Sequence, residues 1–161
     1  MHTQEEMKQI VLPLLKTKGE IYQKVKKIFA RKAKQVETIT TATSDGKETI
    51  NRAHPGDYIV KNQTDAGEEY ILTPEKFHPR YTFKKRAKAG FSEYEPTGRI
   101  YAMEVNQRFL RKFNVKNRFY FMASWGSKMV VKEKDFLACP VGEEEVYRIA
   151  RKEFFETYER C

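Results

Sequence analysis

The sequence is poor in residues that staple a chain, hold metal or cross a membrane. Only two of its 161 residues are cysteine, Cys139 and Cys161. They stand at no metal-ligand spacing, so neither a zinc site nor a disulfide framework is indicated. A reducing, cytoplasmic setting is expected, with Cys139 a small core residue. No apolar run approaches the roughly 20 residues that a transmembrane helix needs. Glu5 and Glu6 precede the first short apolar stretch, the wrong order for a signal peptide. Gly56, Gly67 and Gly90 are isolated, so there is no glycine-rich phosphate loop. No Ser-His-Asp or Cys-His signature is present. No cofactor and no metal are therefore expected.

Cations and aromatics are abundant. Thirty-one Lys and Arg against 22 Asp and Glu leave a net charge of +9, and 40% of the residues are hydrophobic. That is too apolar for a disordered chain and long enough for a core without staples. The charge is uneven. Residues 1–37 hold nine Lys or Arg against four Glu, residues 82–118 hold ten against three, and residues 133–161 hold five against eight acids.

Thr3 and Glu6 match a capping box, followed by Met7, Ile10, Val11, Leu14 and Leu15 at helical spacing. Pro13 predicts a kink or restart. Ile21, Val25, Ile28 and Phe29 extend the helical pattern beyond Gly19, with Lys24, Lys27, Arg31 and Lys34 opposite. The reading is a basic N-terminal helical segment over 1–35. A first β unit follows over 36–81, with strands at 36–43, 58–61 and 69–72 and a turn at Ser44, Asp45 and Gly46. Thr73 and Pro74 start a short helix. Residues 82–98 read as a basic linker. Residues 99–161 form a second unit, with strands at 99–105, 118–124, 128–138 and 144–149 and helices at 106–114 and 150–159. The fold class is α+β: a basic N-terminal helix and two related antiparallel β units, each ending in a short helix, packed as one globule.

The relation between the units is an internal repeat. Asp57-Tyr58-Ile59 matches Asp135-Phe136-Leu137 at an offset of 78, and Tyr70, Phe77 and Tyr81 match Tyr147, Phe154 and Tyr158 at 77. Asp45-Gly46 falls over Trp125-Gly126. Core packing is the plain reading of these aromatics.

His54-Pro55-Gly56-Asp57-Tyr58-Ile59-Val60, then Glu69-Tyr70, Phe77 and Tyr81, resembles a small domain frequent in phage and prophage proteins. That domain's pattern is Pro-Gly-Asp-Trp/Tyr with two aliphatics, a glycine turn, Glu-x-Tyr and Phe-x-x-x-Tyr. The second unit is similar to its longer version, but departs where Lys134-Asp135-Phe136 replaces Pro-Gly-Asp-aromatic. The resemblance implies a fold and no activity.

Three chemistries are open. The leading one is non-catalytic: a small accessory protein, of phage or mobile-element type, that binds nucleic acid or an acidic protein partner and no membrane. Lys24, Lys27, Arg31, Lys34, Lys84, Lys85, Arg86, Arg108, Arg111 and Lys112 would supply phosphate contacts, with interleaved aromatics available to stack on bases. The alternative is a hydrolase or phosphodiesterase in which His54 and His78 exchange protons, with Lys61 or Arg80 on the anion. Against it, each histidine precedes a proline and reads as a turn residue. A third reading is a protein–protein adaptor or inhibitor, docking through a strand edge or the Trp125 turn. Asp57 reads as a turn-closing acid, and Glu143, Glu144 and Glu145 as a solvated turn.

Overall fold

Thr3 caps the first helix, α1 (Gln4–Lys18), accepting from the Glu6 amide at 3.1 Å. The structure is a computed structural model that describes residues 1–42 and 48–161. The helix runs on through Pro13, and Met7, Val11, Leu12 and Leu15 are buried. It stops at Gly19, whose amide donates to the carbonyls of Leu14 and Leu15 at 3.1 Å. A Cβ there would lie 2.5 Å from the Leu15 carbonyl oxygen, so only glycine fits this close approach.

Beyond Gly19 the structure corrects the helical reading. Residues 20–35 form strands β1 (Glu20–Lys24) and β2 (Ile28–Lys32). Ile21 and Val25, members of the expected stripe, are exposed, whereas Ile28 and Ala30 alternate into a core. A short apolar window fits either period, and the sheet satisfies the backbone here. The unit 36–81 contains β3 (Glu37–Ala42), β4 (Glu48–Ala53), β5 (Tyr58–Asn62), β6 (Glu69–Leu72) and α2 (Pro74–Phe77). The expected turn at Ser44 to Gly46 lies outside the described residues.

The stretch 82–98 is also different: it holds strands β7 (Tyr81–Arg86) and β8 (Ser92–Pro96). Its charges hide the strand pattern because β7 is a sheet edge, where lysines are normal. The C-terminal part holds β9 (Arg99–Glu104), α3 (Gln107–Lys112), β10 (Arg118–Met122), β11 (Lys128–Lys132), β12 (Phe136–Pro140), β13 (Tyr147–Ile149), α4 (Arg151–Thr157) and β14 (Tyr158–Arg160). The expected strand at 128–138 is thus two strands with a turn at Asp135, and the last helix gives way to a strand at Tyr158.

The chain divides into two units. Unit 1 comprises Met1–Gln23, Arg99–Phe155 and Arg160–Cys161; unit 2 comprises Lys24–Gly98 and Glu156–Glu159. One five-stranded sheet has the order β13-β12-β9-β1-β14, the other the order β6-β5-β2-β8-β7. Each unit adds a hairpin, β10–β11 and β3–β4 respectively. In unit 1 the core gathers α1 with Val105, Phe109, Leu110, Phe121 and Leu137. In unit 2 it gathers Ile28, Tyr58, Val60, Leu72 and Phe77.

The repeat is reproduced in detail. Ile28 and Ala30 pair with Asn62 and Val60, as Ile100 and Ala102 pair with Pro140 and Ala138. The Ala33 amide donates to Asp57 O and Gly56 donates back to Ala33 O; Val105, Asp135 and Lys134 repeat both bonds. Tyr58 stacks on Phe77 at 4.0 Å and 4°, and Phe136 on Phe154 at 3.8 Å and 6°. A third ring meets each stack edge-on: Tyr94 lies 4.9 Å from Phe77, and Tyr22 lies 4.8 Å from Phe154. Tyr22 faces Ile100 as Tyr94 faces Ile28. The match therefore extends to β1 and β8, outside the motif read from sequence.

Phe77 and Phe154 are both fully buried. Phe77→Ala and Phe154→Ala should each lower the unfolding free energy by about 3–5 kcal/mol, read from urea denaturation. A cost below about 1 kcal/mol for either would contradict the central place of the ring stacks.

Candidate anion-binding groove

The ten expected phosphate-binding cations fall in different environments. Lys27, Lys34, Lys85 and Arg86 are exposed in unit 2. Lys84 is exposed and pairs with Glu95 at 3.2 Å. Arg31 is already engaged, holding both Glu37 oxygens at 2.8 and 2.9 Å and lying over the Phe91 ring. Its guanidinium holds the Glu37 carboxyl below the usual carboxylate range.

Lys24 leaves the exposed set altogether. It is buried, and its ammonium donates to Asn62 Oδ1 at 3.0 Å, Tyr70 OH at 3.0 Å and Tyr81 OH at 2.7 Å. Burial lowers its pKa to about 7; Glu68 opposes the shift and Arg80 adds to it. The Tyr81 phenol is pushed well up by the same burial.

Arg108, Arg111 and Lys112 are exposed on unit 1. Asn106 caps α3, accepting from the Phe109 amide at 2.8 Å, while Phe109 and Leu110 are buried. That anchoring turns Arg108 and Lys112, four residues apart, to one side of the helix. Both line an open groove of about 570 Å³ in unit 1. Its other cations are Lys18, at the end of α1, and Arg151, at the start of α4. Apolar lining comes from Tyr22, Ala102, Phe136 and Phe155. Two acids share the groove but are paired: Glu104 with Arg151, and Glu20 with Arg160 at 2.7 Å. Arg151 also lies over the Phe155 ring at 5.0 Å. The side chains of Lys18, Arg108 and Lys112 have no hydrogen-bond or ion-pair partner among the described residues. Three unpaired cations thus stand around aromatic surface, and Phe155 is 57% exposed. Such a lining suits a ligand with anionic groups and flat rings.

Lys18, Arg151, Tyr22 and Phe155 were not singled out by sequence reasoning. Tyr22 had a signal, its spacing to Ile28, which matches that of Tyr94 to Ile100. The others come together only through the fold.

His78 and His54 both occupy repeat positions, and His78 packs on the ring cluster of unit 2. His78 meets Tyr58 edge-on at 5.4 Å and Phe77 at 5.7 Å; in unit 1 Phe155 meets Phe136 at 5.5 Å and Phe154 at 5.4 Å. His54 sits three residues before the turn acid Asp57, where unit 1 has Lys132 before Asp135. The His54 amide donates to Asp57 Oδ2 at 2.9 Å, and the Lys132 amide to Asp135 Oδ2 at 3.0 Å. Both acids close their turns. No hydrogen bond or ring contact joins the two imidazoles among the described residues. His2 is held at the terminus by edge-on contacts with Phe113 and Phe119. Trp125 is 43% exposed, with Tyr147 6.4 Å away. Cys139 is buried and Cys161 exposed, both free. Among the described residues no cluster of His, Cys, Asp or Glu is arranged to hold a metal ion, and no helix is long and apolar enough to cross a membrane. Compared with protein-family models, curated proteins and solved structures, the chain matches none.

Two measurements test these assignments. The unfolded chain holds a proton on Lys24 up to about pH 10.4, the folded chain only to about 7, so this group makes stability rise with pH between them. The urea midpoint of the wild type should gain on that of Lys24→Met from pH 7 to 9; a constant difference would contradict the burial. His78→Phe should change the unfolding free energy by less than about 1.5 kcal/mol, as a near-isosteric swap does. A larger loss would assign His78 a role beyond packing.

Proposed function

We propose that the protein is a non-catalytic, intracellular accessory protein that binds single-stranded nucleic acid through the groove of unit 1. Lys18, Arg108 and Lys112 contact phosphates, and Phe155 and Tyr22 offer faces to unpaired bases. The observation that carries the reading is the coexistence of three unpaired cations with exposed aromatic surface in one groove. Where α1 and α3 flank that groove, the chain of unit 2 has turns instead: residues 87–91 precede β8, and residues 33–36 pass directly from β2 to β3. The cationic walls are thus additions to the shared scaffold. The net charge of +9 favours association with polyanions in general.

Fluorescence anisotropy with labelled single-stranded and duplex DNA and RNA of about 20 nucleotides tests the proposal. Three phosphate contacts on a single strand predict a slope of log affinity against log salt near −2, at roughly 0.7 per contact. Arg108→Glu with Lys112→Glu should weaken single-strand binding roughly tenfold or more, while Lys84→Glu with Lys85→Glu on β7 leaves it within about twofold. No binding at low salt would overturn the function. An equal loss from the β7 pair would overturn the groove as its site.

A further inference from the structure

The two sheets have exchanged a strand. β1 pairs with β9 in unit 1, yet the chain continues from β1 across residues 25–27 into β2 of unit 2. β8 pairs with β2 in unit 2, yet continues through Thr97 and Gly98 into β9 of unit 1. Six positions separate Tyr22 from Ile28, and six separate Tyr94 from Ile100. A strand folding back on its own successor would set Tyr22 against Ile28 and Tyr94 against Ile100. The observed partners are crossed: Tyr22 with Ile100, and Tyr94 with Ile28. Each slot beside β2 or β9 therefore accepts, in the same register, a strand that is not its covalent neighbour.

The strand in the unit 1 slot belongs to an arm, Met1–Gln23, made of α1 and β1. The arm's contacts lie with the C-terminal part of unit 1. Met7, Val11 and Leu15 join a core with Val105, Phe109 and Leu137. Gln4 donates to the carbonyls of Met122 and Val146 at 2.9 and 3.1 Å. Met122 N donates to His2 O at 2.9 Å. One covalent crossing links the arm to the rest of the chain: Lys24, which is buried and anchored in unit 2, then Val25, Lys26 and Lys27, which are exposed, with neither proline nor glycine among them.

We propose that this arm is exchangeable and that its partner is a second copy of the chain. The arm of one copy occupies the slot beside β9 of the other, and the reverse, which closes a twofold dimer. Every contact between arm and body is retained, so the two forms differ only at the crossing and in the entropy of association. In the dimer the groove is composite: Lys18 and Tyr22 come from one copy, Arg108 and Lys112 from the other.

The test uses the full chain with Cys161→Ser and one further cysteine, either Gln23→Cys or Arg99→Cys. These positions are register partners, with Arg99 Nε donating to Gln23 Oε1 at 3.4 Å, and neither lines the groove. The two variants are mixed, unfolded in urea, refolded together at high concentration and oxidised. The expected product is a mixed disulfide dimer of twice the 19.0 kDa chain mass. It should be several-fold in excess over variants refolded separately and then mixed, and over Gln23→Cys refolded alone. For the chain with Cys161→Ser alone, the dimer fraction by light scattering should rise about in proportion to concentration while it is small. A mixed disulfide no more abundant than in these controls, or a mass of 19.0 kDa at every concentration, would overturn the proposal.

Discussion

Both units depend on a stack of two aromatic rings between an inner strand of the sheet and a short helix. A four-residue helix such as α2 has no stability of its own, because nucleation costs more than one turn returns. It persists because Phe77 lies flat on Tyr58 and is sealed from water. Burying such a ring is worth about 2–3 kcal/mol, and the ring pair adds about 1. The same stack of Phe136 and Phe154 fixes α4 to β12. Because Tyr94 and Tyr22 enter edge-on from exchanged strands, each stack also locks the strand that arrives from elsewhere in the chain.

The turn before each stack aims its first ring, and here the two units differ. Gly56 takes φ 94° without penalty, whereas Lys134 takes φ 75° in the corresponding place. A side chain at positive φ costs free energy, and unit 1 surrounds that position with added ionic contacts. Asp135 is fully buried and accepts from Arg148 Nε at 3.0 Å and from Lys132 Nζ at 2.8 Å. Among the described residues Asp57 has one ion-pair partner, the His54 ring, 3.9 Å away and exposed. An acid buried between two cations is tolerable only with both in place. One local instruction has thus been kept by two different means, a glycine in one unit and a charge network in the other.

What was legible in the sequence follows from this division. The acid, the ring after it and the later Phe and Tyr are local motifs under tight packing constraint, so their spacing survives in both copies. Tyr22 and Tyr94 obey the same constraint, but no local motif marks them. Their strands carry the pattern of a helix and of a linker, because short charged segments with few apolar residues have little periodicity of their own. Arg108 and Lys112 were legible as cations but not as members of a groove. The groove joins α1, β1, β9, α3, β12 and α4, and no window of sequence contains them. Lys24 was the reverse case: a lysine in a basic run, whose burial depends on Asn62, Tyr70 and Tyr81 contributed by later strands.

The groove also shows how one of two similar units carries a separate face. Its floor is made of shared parts: Tyr22 and Phe136 belong to the ring cluster, and Ala102 occupies the place that Ala30 has in unit 2. Those residues cannot change without loosening the sheet. Its walls, from the end of α1 and from α3, carry Lys18, Arg108 and Lys112, and nothing in the ring cluster depends on those charges. Packing constrains the floor and leaves the walls free, so selection for a ligand would act on the walls. Three of the chain's cations, Lys18, Arg108 and Lys112, thus stand where the scaffold makes no demand on them.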